Sequence, residues 1–174
     1  MDRLQRIRPD LVILFAFAFE RPWMDGLKNA PPNRAPYGLF PAFLNGIIAQ
    51  AGRQTTLIDG YESAYGFRTD LEFAAARQVF DLGVLPLVAS PEQYRARFRL
   101  GFGIWLNYEW QHLGWSAASP DDNYYSPDGF ASWMTSARRY SDGFVWAYTE
   151  HLNWLDPSQV APAYMRILAR FADR

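Results

Sequence analysis

Two hydrophobic periods take turns along this chain, short runs that alternate every second residue and longer stretches with helical spacing. The first run, 10–19, reads as a strand. Ile13, Phe15, Phe17 and Phe19 fall on one face, and Leu14, Ala16, Ala18 and Glu20 on the other, a small-residue face ending in a carboxylate. A loop rich in proline and glycine is predicted over 22–36, and the periodic stretch 37–51 predicts a helix with Gly52 at its C-cap. Thr56 to Tyr61 forms a second strand. Thr69-Asp-Leu-Glu72 has capping-box spacing and starts a helix through Phe80. Ser90-Pro91-Glu92 supplies a hydroxyl N-cap, a proline at the first helical position and an acid beside the positive helix end, which predicts a helix to Arg99.

The third strand follows at 101–108, with Trp105, Asn107 and Glu109 on one face. Ser126-Pro127-Asp128 repeats the helix-start signal and opens a helix to Tyr140; the fourth strand, 144–148, puts Trp146, Tyr148 and Glu150 on one side. Asp156-Pro157-Ser158 opens the last helix, whose apolar face carries Met165, Ile167, Leu168 and Phe171. Strand and helix alternate to the end, which predicts one α/β domain over 1–174 built on a parallel sheet with right-handed crossovers.

Each strand ends in carboxylates and aromatics: Glu20 and Trp23, Asp59 with Tyr61 and Glu62, Glu109 with Trp110, and Tyr148 with Glu150. Ligands of parallel α/β folds bind at these carboxyl ends, so a polar, ring-shaped substrate is expected there, and with it carbohydrate chemistry.

Composition narrows the alternatives. Of 174 residues 49% are hydrophobic and 20% charged, enough for a packed core. A net charge of −1 and a pI near 6.1 argue against nucleic acid as a partner. Arg95, Arg97 and Arg99, interleaved with Tyr94 and Phe98, read as the wet side of an amphipathic helix. The absence of cysteine excludes disulfides and thiolate chemistry. His112 and His151 are too few for a histidine-rich metal centre, and no phosphate-cradling glycine pattern, zinc spacing, calcium loop or nucleophile elbow is present. Asp121-Asp122-Asn123 reads as a polar turn, so neither cofactor nor metal is expected. The longest apolar run, 11–19, is about half of a membrane span and lacks the flanks of a signal peptide, so no membrane is expected and the compartment stays open.

A complete eight-stranded barrel takes about 250 residues. Four strands therefore predict a (βα)4 half-barrel. Residues 1–10 resemble the tail of a helix handing over to a strand, as if the chain were entered mid-unit. An open four-stranded sheet leaves two edges and an apolar face bare, so closure by a second copy, another chain or a missing N-terminal half is expected.

The segment Ser141-Asp-Gly-Phe-Val-Trp-Ala-Tyr-Thr-Glu150-His-Leu-Asn-Trp154 resembles the last strand region of bacterial TIM-barrel proteins of the glycoside hydrolase type. Tyr37-Gly-Leu-Phe-Pro-Ala-Phe-Leu44 and Leu57-Ile-Asp-Gly-Tyr-Glu62 resemble the middle of the same second half. The resemblance implies that the third strand corresponds to barrel strand seven, whose end carries the nucleophile in the largest clan of retaining glycosidases, and Glu109 is the matching position. That clan's acid/base follows strand four, which this chain lacks, so a partner or a missing half would supply it.

Glycoside cleavage needs two carboxyls, about 5–5.5 Å apart for retention and about 6.5–9.5 Å for inversion. Glu109 is the first candidate, with Asp59, Glu62 or Glu150 as its partner. Asp59 precedes Gly60 and has a second role open to it, bonding the turn backbone. Glu62 and Glu150 either orient substrate hydroxyls or pair with Arg21 and Arg68. His112 and His151 position a substrate group or are structural. Trp23, Tyr61, Tyr65, Trp110, Trp115 and Trp154 are placed to stack on sugar faces, with Glu20, Glu62, His112, Tyr148 and Glu150 beside them, while Phe15, Phe17, Phe102, Trp133 and Phe144 are expected in the core. The expected function is glycoside hydrolysis. Its rivals are a non-catalytic carbohydrate-binding or scaffold half-barrel, and a barrel isomerase or lyase.

Overall fold

The structure, a computed structural model, describes residues 2–28, 34–156 and 158–172. Four parallel strands pair in sequential order: β1 (Val12–Phe15), β2 (Thr56–Asp59), β3 (Phe98–Trp105) and β4 (Phe144–Tyr148). Parallel neighbours need crossovers, and these are helical. α1 (Asp2–Ile7) precedes the sheet; α2 (Glu20–Leu27) and α3 (Phe40–Gln50) join β1 to β2, and α4 (Asp70–Gln78) and α5 (Pro91–Arg97) join β2 to β3. α6 (Trp110–Leu113) and α7 (Pro127–Tyr140) join β3 to β4, and α8 (Pro162–Ala172) follows. The sheet curls as half a barrel, so the α/β class and the four-stranded parallel arrangement are those the alternation predicts.

Register assigns the faces. Phe15 aligns with Asp59, Asp59 with Leu100, and Phe102 with Val145. These residues, with Phe98 and Ile104, point to the helix layer, where Phe73 of α4 meets Phe102 at 5.0 Å and Trp133 of α7 at 5.3 Å. Tyr94 of α5 lies 5.2 Å from Phe98. Val12, Leu14, Ile58, Gly101, Gly103, Trp105, Trp146 and Tyr148 occupy the opposite, concave face. Val12 and Leu14 remain 54% and 44% exposed there, because β1 is an edge and no further strand covers them.

Local signals decide most helix starts. Glu72 accepts the Thr69 amide at 2.8 Å, completing the capping box, and the Ser90 and Ser126 hydroxyls accept the Gln93 and Gly129 amides at 3.5 and 3.2 Å. Several boundaries differ from expectation. The first strand stops at Phe15, and Glu20 opens α2 instead of ending a strand face; Pro22 sits in the first turn, where its missing N–H is no loss. Residues 22–27 of the expected 22–36 loop are thus helix, and residues 29–33 of it lie outside the described residues. α3 ends in an extended Ala51, so Gly52 is no left-handed cap; its missing Cβ instead makes room for Gln5. α5 hands over directly to β3, which starts three residues early, and α4 runs into a wide turn at Val79–Gly83. The last helix begins at Pro162. Asp156 instead closes a local turn by accepting the Ser158 amide and hydroxyl at 2.9 and 2.6 Å, while Pro157 lies outside the described residues.

Candidate functional site

Past the ends of β2, β3 and β4 the backbone does something unusual three times. Tyr61, Glu109 and His151 have φ of 43°, 58° and 61°, the non-glycine residues with positive φ among those described. Such conformations cost about 1–3 kcal/mol each and persist where surrounding contacts over-determine them. Here those contacts are visible. The Tyr61 amide donates to Asp59 Oδ1 at 3.1 Å and the next amide, of Glu62, donates to the Ala16 carbonyl at 2.8 Å. The Glu109 carbonyl accepts the His112 and Leu113 amides at 2.9 and 2.8 Å, which starts α6. Asn107 clamps the residue before His151, donating to the Glu150 carbonyl at 2.6 Å and accepting its amide at 3.0 Å.

Beside these turns the concave face carries an aromatic wall. Trp146 lies flat across β2 and β3: a Cβ on Gly103 would come within 2.6 Å of its ring, and its Nε1 donates to the Gly60 carbonyl at 2.9 Å. Tyr65 stacks on Tyr148 with ring centres 5.8 Å apart and planes at 14°, and meets the edges of Trp105 and Trp146 at 5.9 and 5.6 Å. Trp105 continues the wall to Tyr108 at 5.4 Å, and Tyr108 to Tyr124 at 4.9 Å. Tyr148 is 37% exposed, so the wall offers an accessible flat ring at the carboxyl ends of the strands. Flat rings of this kind suit the apolar C–H faces of sugars.

Acids stand at the edge of the wall. Glu109 Oε2 lies 2.7 Å from His112 Nδ1, and with the carboxylate as acceptor Nδ1 is the donor. Trp110 donates its indole N–H to Glu150 Oε2 at 3.2 Å and packs edge-on against His151 at 5.1 Å. Hydrogen bonding and ring packing therefore pair Glu109 with His112 and gather Glu150 and His151 around Trp110, and chain order makes the two groups neighbours. Glu62 opens the 62–66 turn that carries Tyr65, and its charge raises the Tyr65 hydroxyl further above its ordinary range after burial has done so.

A second carboxyl pair lies behind the sheet. Glu20 and Asp59 are 0% and 2% exposed and hydrogen-bonded to each other on the helix-facing side. Glu20 Oε2 accepts the Ala18 amide at 2.8 Å, whereas Oε1 is buried and meets no N–H or hydroxyl donor. A proton held by the pair supplies one. Burial pushes Glu20 up to about 7, and burial with the Glu20 charge pushes Asp59 well above the usual carboxylate range.

The expected site residues thus divide. Glu109, Trp110, His112, Glu150, Tyr148 and Glu62 come to the concave rim. Asp59 does not join Glu109: its strand position turns it to the helices, where it binds Glu20 and the Tyr61 amide, the turn role open to it from Gly60. Tyr61 is buried against Phe102 at 5.7 Å, Trp23 packs over Gly83 in the helix layer, and half-buried Trp154 packs on the core. Trp115 is tied down by its indole N–H to the Gln159 carbonyl at 2.7 Å and by Tyr164. Among the described residues neither Glu62 nor Glu150 has an ion pair; Arg21 and Arg68 lie over aromatic rings instead. Trp105, Trp146 and Asn107 were not singled out as site residues by the strand-end pattern. The glycines at 101 and 103 carry that signal, since a glycine inside a strand marks a close approach.

Among the described residues no group of three or more His, Asp or Glu side chains is placed to hold a metal, and no helix is long and apolar enough to cross a membrane. A half-open pocket of about 460 Å³ lined by Arg77, Tyr94, Arg95, Arg99 and Asp142 lies near the start of β3. Compared with known proteins, the chain matches no family model, no curated protein and no solved structure.

Proposed function

We propose that the chain is half of a glycan-acting barrel that hydrolyses glycosidic bonds through Glu109 and Glu150, with a second copy closing the sheet. The observation that carries this reading is the indole N–H of Trp110, the residue after Glu109, donated to Glu150, which ties the end of β4 to the turn that bears Glu109, beside the accessible ring of Tyr148. A sugar lying on Tyr148 meets a carboxylate braced by a histidine, Glu109, and another braced by an indole, Glu150. Glu150 thereby takes the role first given to Asp59. Two carboxyls at a stacked sugar are what glycoside cleavage uses, one as nucleophile or base and one as acid.

Release of reducing ends from a panel of oligosaccharides tests this. Glu109→Gln keeps size and the left-handed turn, and is expected to lower turnover at least about 100-fold while binding persists, in keeping with the contribution of a positioned acid or base. Turnover retained in Glu109→Gln overturns the assignment. Tyr148→Ala is expected to weaken binding by roughly 0.5–1.5 kcal/mol.

One observation favours a second reading, carbohydrate recognition without cleavage. The carboxyls hydrogen-bonded to each other, Glu20 and Asp59, are buried away from the wall. Glycan binding with no released product, unaffected by Glu109→Gln, selects that reading.

A further inference from the structure

We infer that the aromatic wall takes glycans that carry no negative charge and rejects uronic acids; this rests on the proposed glycan role of the wall. The net charge of −1 conceals a strong separation along the strand axis. The connections that leave β2, β3 and β4, residues 60–69, 106–126 and 149–161, hold six carboxylates, Glu62, Glu109, Asp121, Asp122, Glu150 and Asp156, against a single arginine. That arginine, Arg68, lies 5.1 Å over the Tyr124 ring, and its own backbone amide is committed to Glu72.

The opposite end is basic. Arg8, Arg53, Arg95, Arg97, Arg138 and Arg139 precede a strand by one to six residues and Arg99 is the second residue of β3, against Asp10 and Asp142 in the same stretches; Arg8 pairs with Asp10 and Arg139 with Asp70. A ligand carboxylate on the wall therefore meets more like charge than counter-charge: Arg68 over Tyr124 is the cation beside it, and Arg21, in the connection that leaves β1, lies over Phe17 and Tyr37. Like charges in contact cost binding energy, and the summed field of a rim lowers the local concentration of anions before contact is made. A neutral sugar has no such penalty: its hydroxyls donate to Glu62, Glu109 and Glu150, and its C–H face stacks on Tyr148.

The test compares cello-, manno- and galacto-oligosaccharides with the same oligosaccharides oxidised to carboxylates at C6, by calorimetry on the full chain. Only binding that Tyr148→Ala weakens is counted, which sets aside anions held at the arginine-rich end. At 0.01 M salt the neutral ligand is expected to bind at least about tenfold tighter than its carboxylated form. The gap should close at 1 M salt, where the screening length has fallen from about 30 Å to about 3 Å. Glu62→Gln combined with Glu150→Gln should narrow the same ratio at low salt. Neutral and carboxylated forms binding alike at low salt, or a ratio indifferent to salt, overturns the charge selection and leaves the glycan site standing. If no oligosaccharide binds in a way that Tyr148→Ala weakens, the glycan reading itself fails and the inference with it.

Discussion

Two carboxyls taken out of water together do not both stay ionised, and Glu20 and Asp59 are in that position. The sign of the consequence follows from the direction of the shifts. Both groups bind a proton more tightly folded than unfolded, so the unfolded chain loses protons first as pH rises through the ordinary carboxylate range. Their contribution to stability is complete below that range and is lost as pH climbs toward about 7, where Glu20 titrates in the fold. The melting temperature is therefore expected to fall between pH 5 and pH 8, and Glu20→Gln, which removes one of the two carboxyls and its charge beside the other, should make that slope shallower while the burial of Asp59 keeps part of it. A flat profile in the parent chain, or a slope unchanged in Glu20→Gln, argues against a shared proton. His151 tests the other residue-scale feature. Glycine accepts its positive φ freely, so His151→Gly should melt no lower than the parent while binding glycan more weakly, because Trp110 loses the ring it packs against. A marked loss of stability would mean that the turn is held by the imidazole and carries no strain.

At the scale of elements, the strand ends are set by the fit between Trp146 and two glycines. Gly60 and Gly103 leave the space into which the indole lies, and Gly60 also supplies the carbonyl it binds. Gly103→Ala places a methyl within 2.6 Å of the ring, against a flat aromatic that cannot bend aside. Overpacking of this kind costs about 1–3 kcal/mol, and thermal melting should register it together with a changed tryptophan emission. An alanine that melts with the parent would show that the ring moves freely. The same elements explain what could be read ahead of the structure. Thr69, Ser90 and Ser126 announce their helices because the bonds that cap them span three residues, and β4 is bounded as its alternation predicts. Glu20 was misplaced because alternation was carried past Phe15, where β1 ends, whereas its carboxylate turns back to accept the Ala18 amide at the start of α2. Glu109 was put on the face of Trp105 because alternation was carried past the end of β3, whereas the chain there turns left-handed. The rim was legible as a set of acids and aromatics; which acid meets which was not, since Asp59 and Glu150 differ only in the side of the sheet from which their bonds come.

For the molecule as a whole, the sheet poses the problem its halves would solve. Four strands in the order one to four leave β1 and β4 each with an unpaired parallel edge, and Val12 and Leu14 show apolar side chains to solvent on the concave face. Unpaired edges beside exposed apolar surface favour association. Because all strands run the same way, a two-fold rotation about the strand axis brings β4 of one copy beside β1 of the next in the parallel sense, and it does so at both seams. This closed arrangement covers Val12 and Leu14 and gives the aromatic wall an opposite side, from which a further carboxylate could reach a sugar lying on Tyr148. Light scattering on the purified chain is expected to return twice the 20.0 kDa of one copy. Lysines at Val12 and Leu14 together should return a single copy with unchanged circular dichroism, because both positions are exposed in the isolated chain and lysine blunts a strand edge. If that separated chain still binds glycan but no longer cleaves it, the second copy supplies part of the chemistry. A parent chain that is already monomeric and cleaves glycan unaided would rule out closure as a requirement and place both carboxyls of the reaction within one half-barrel.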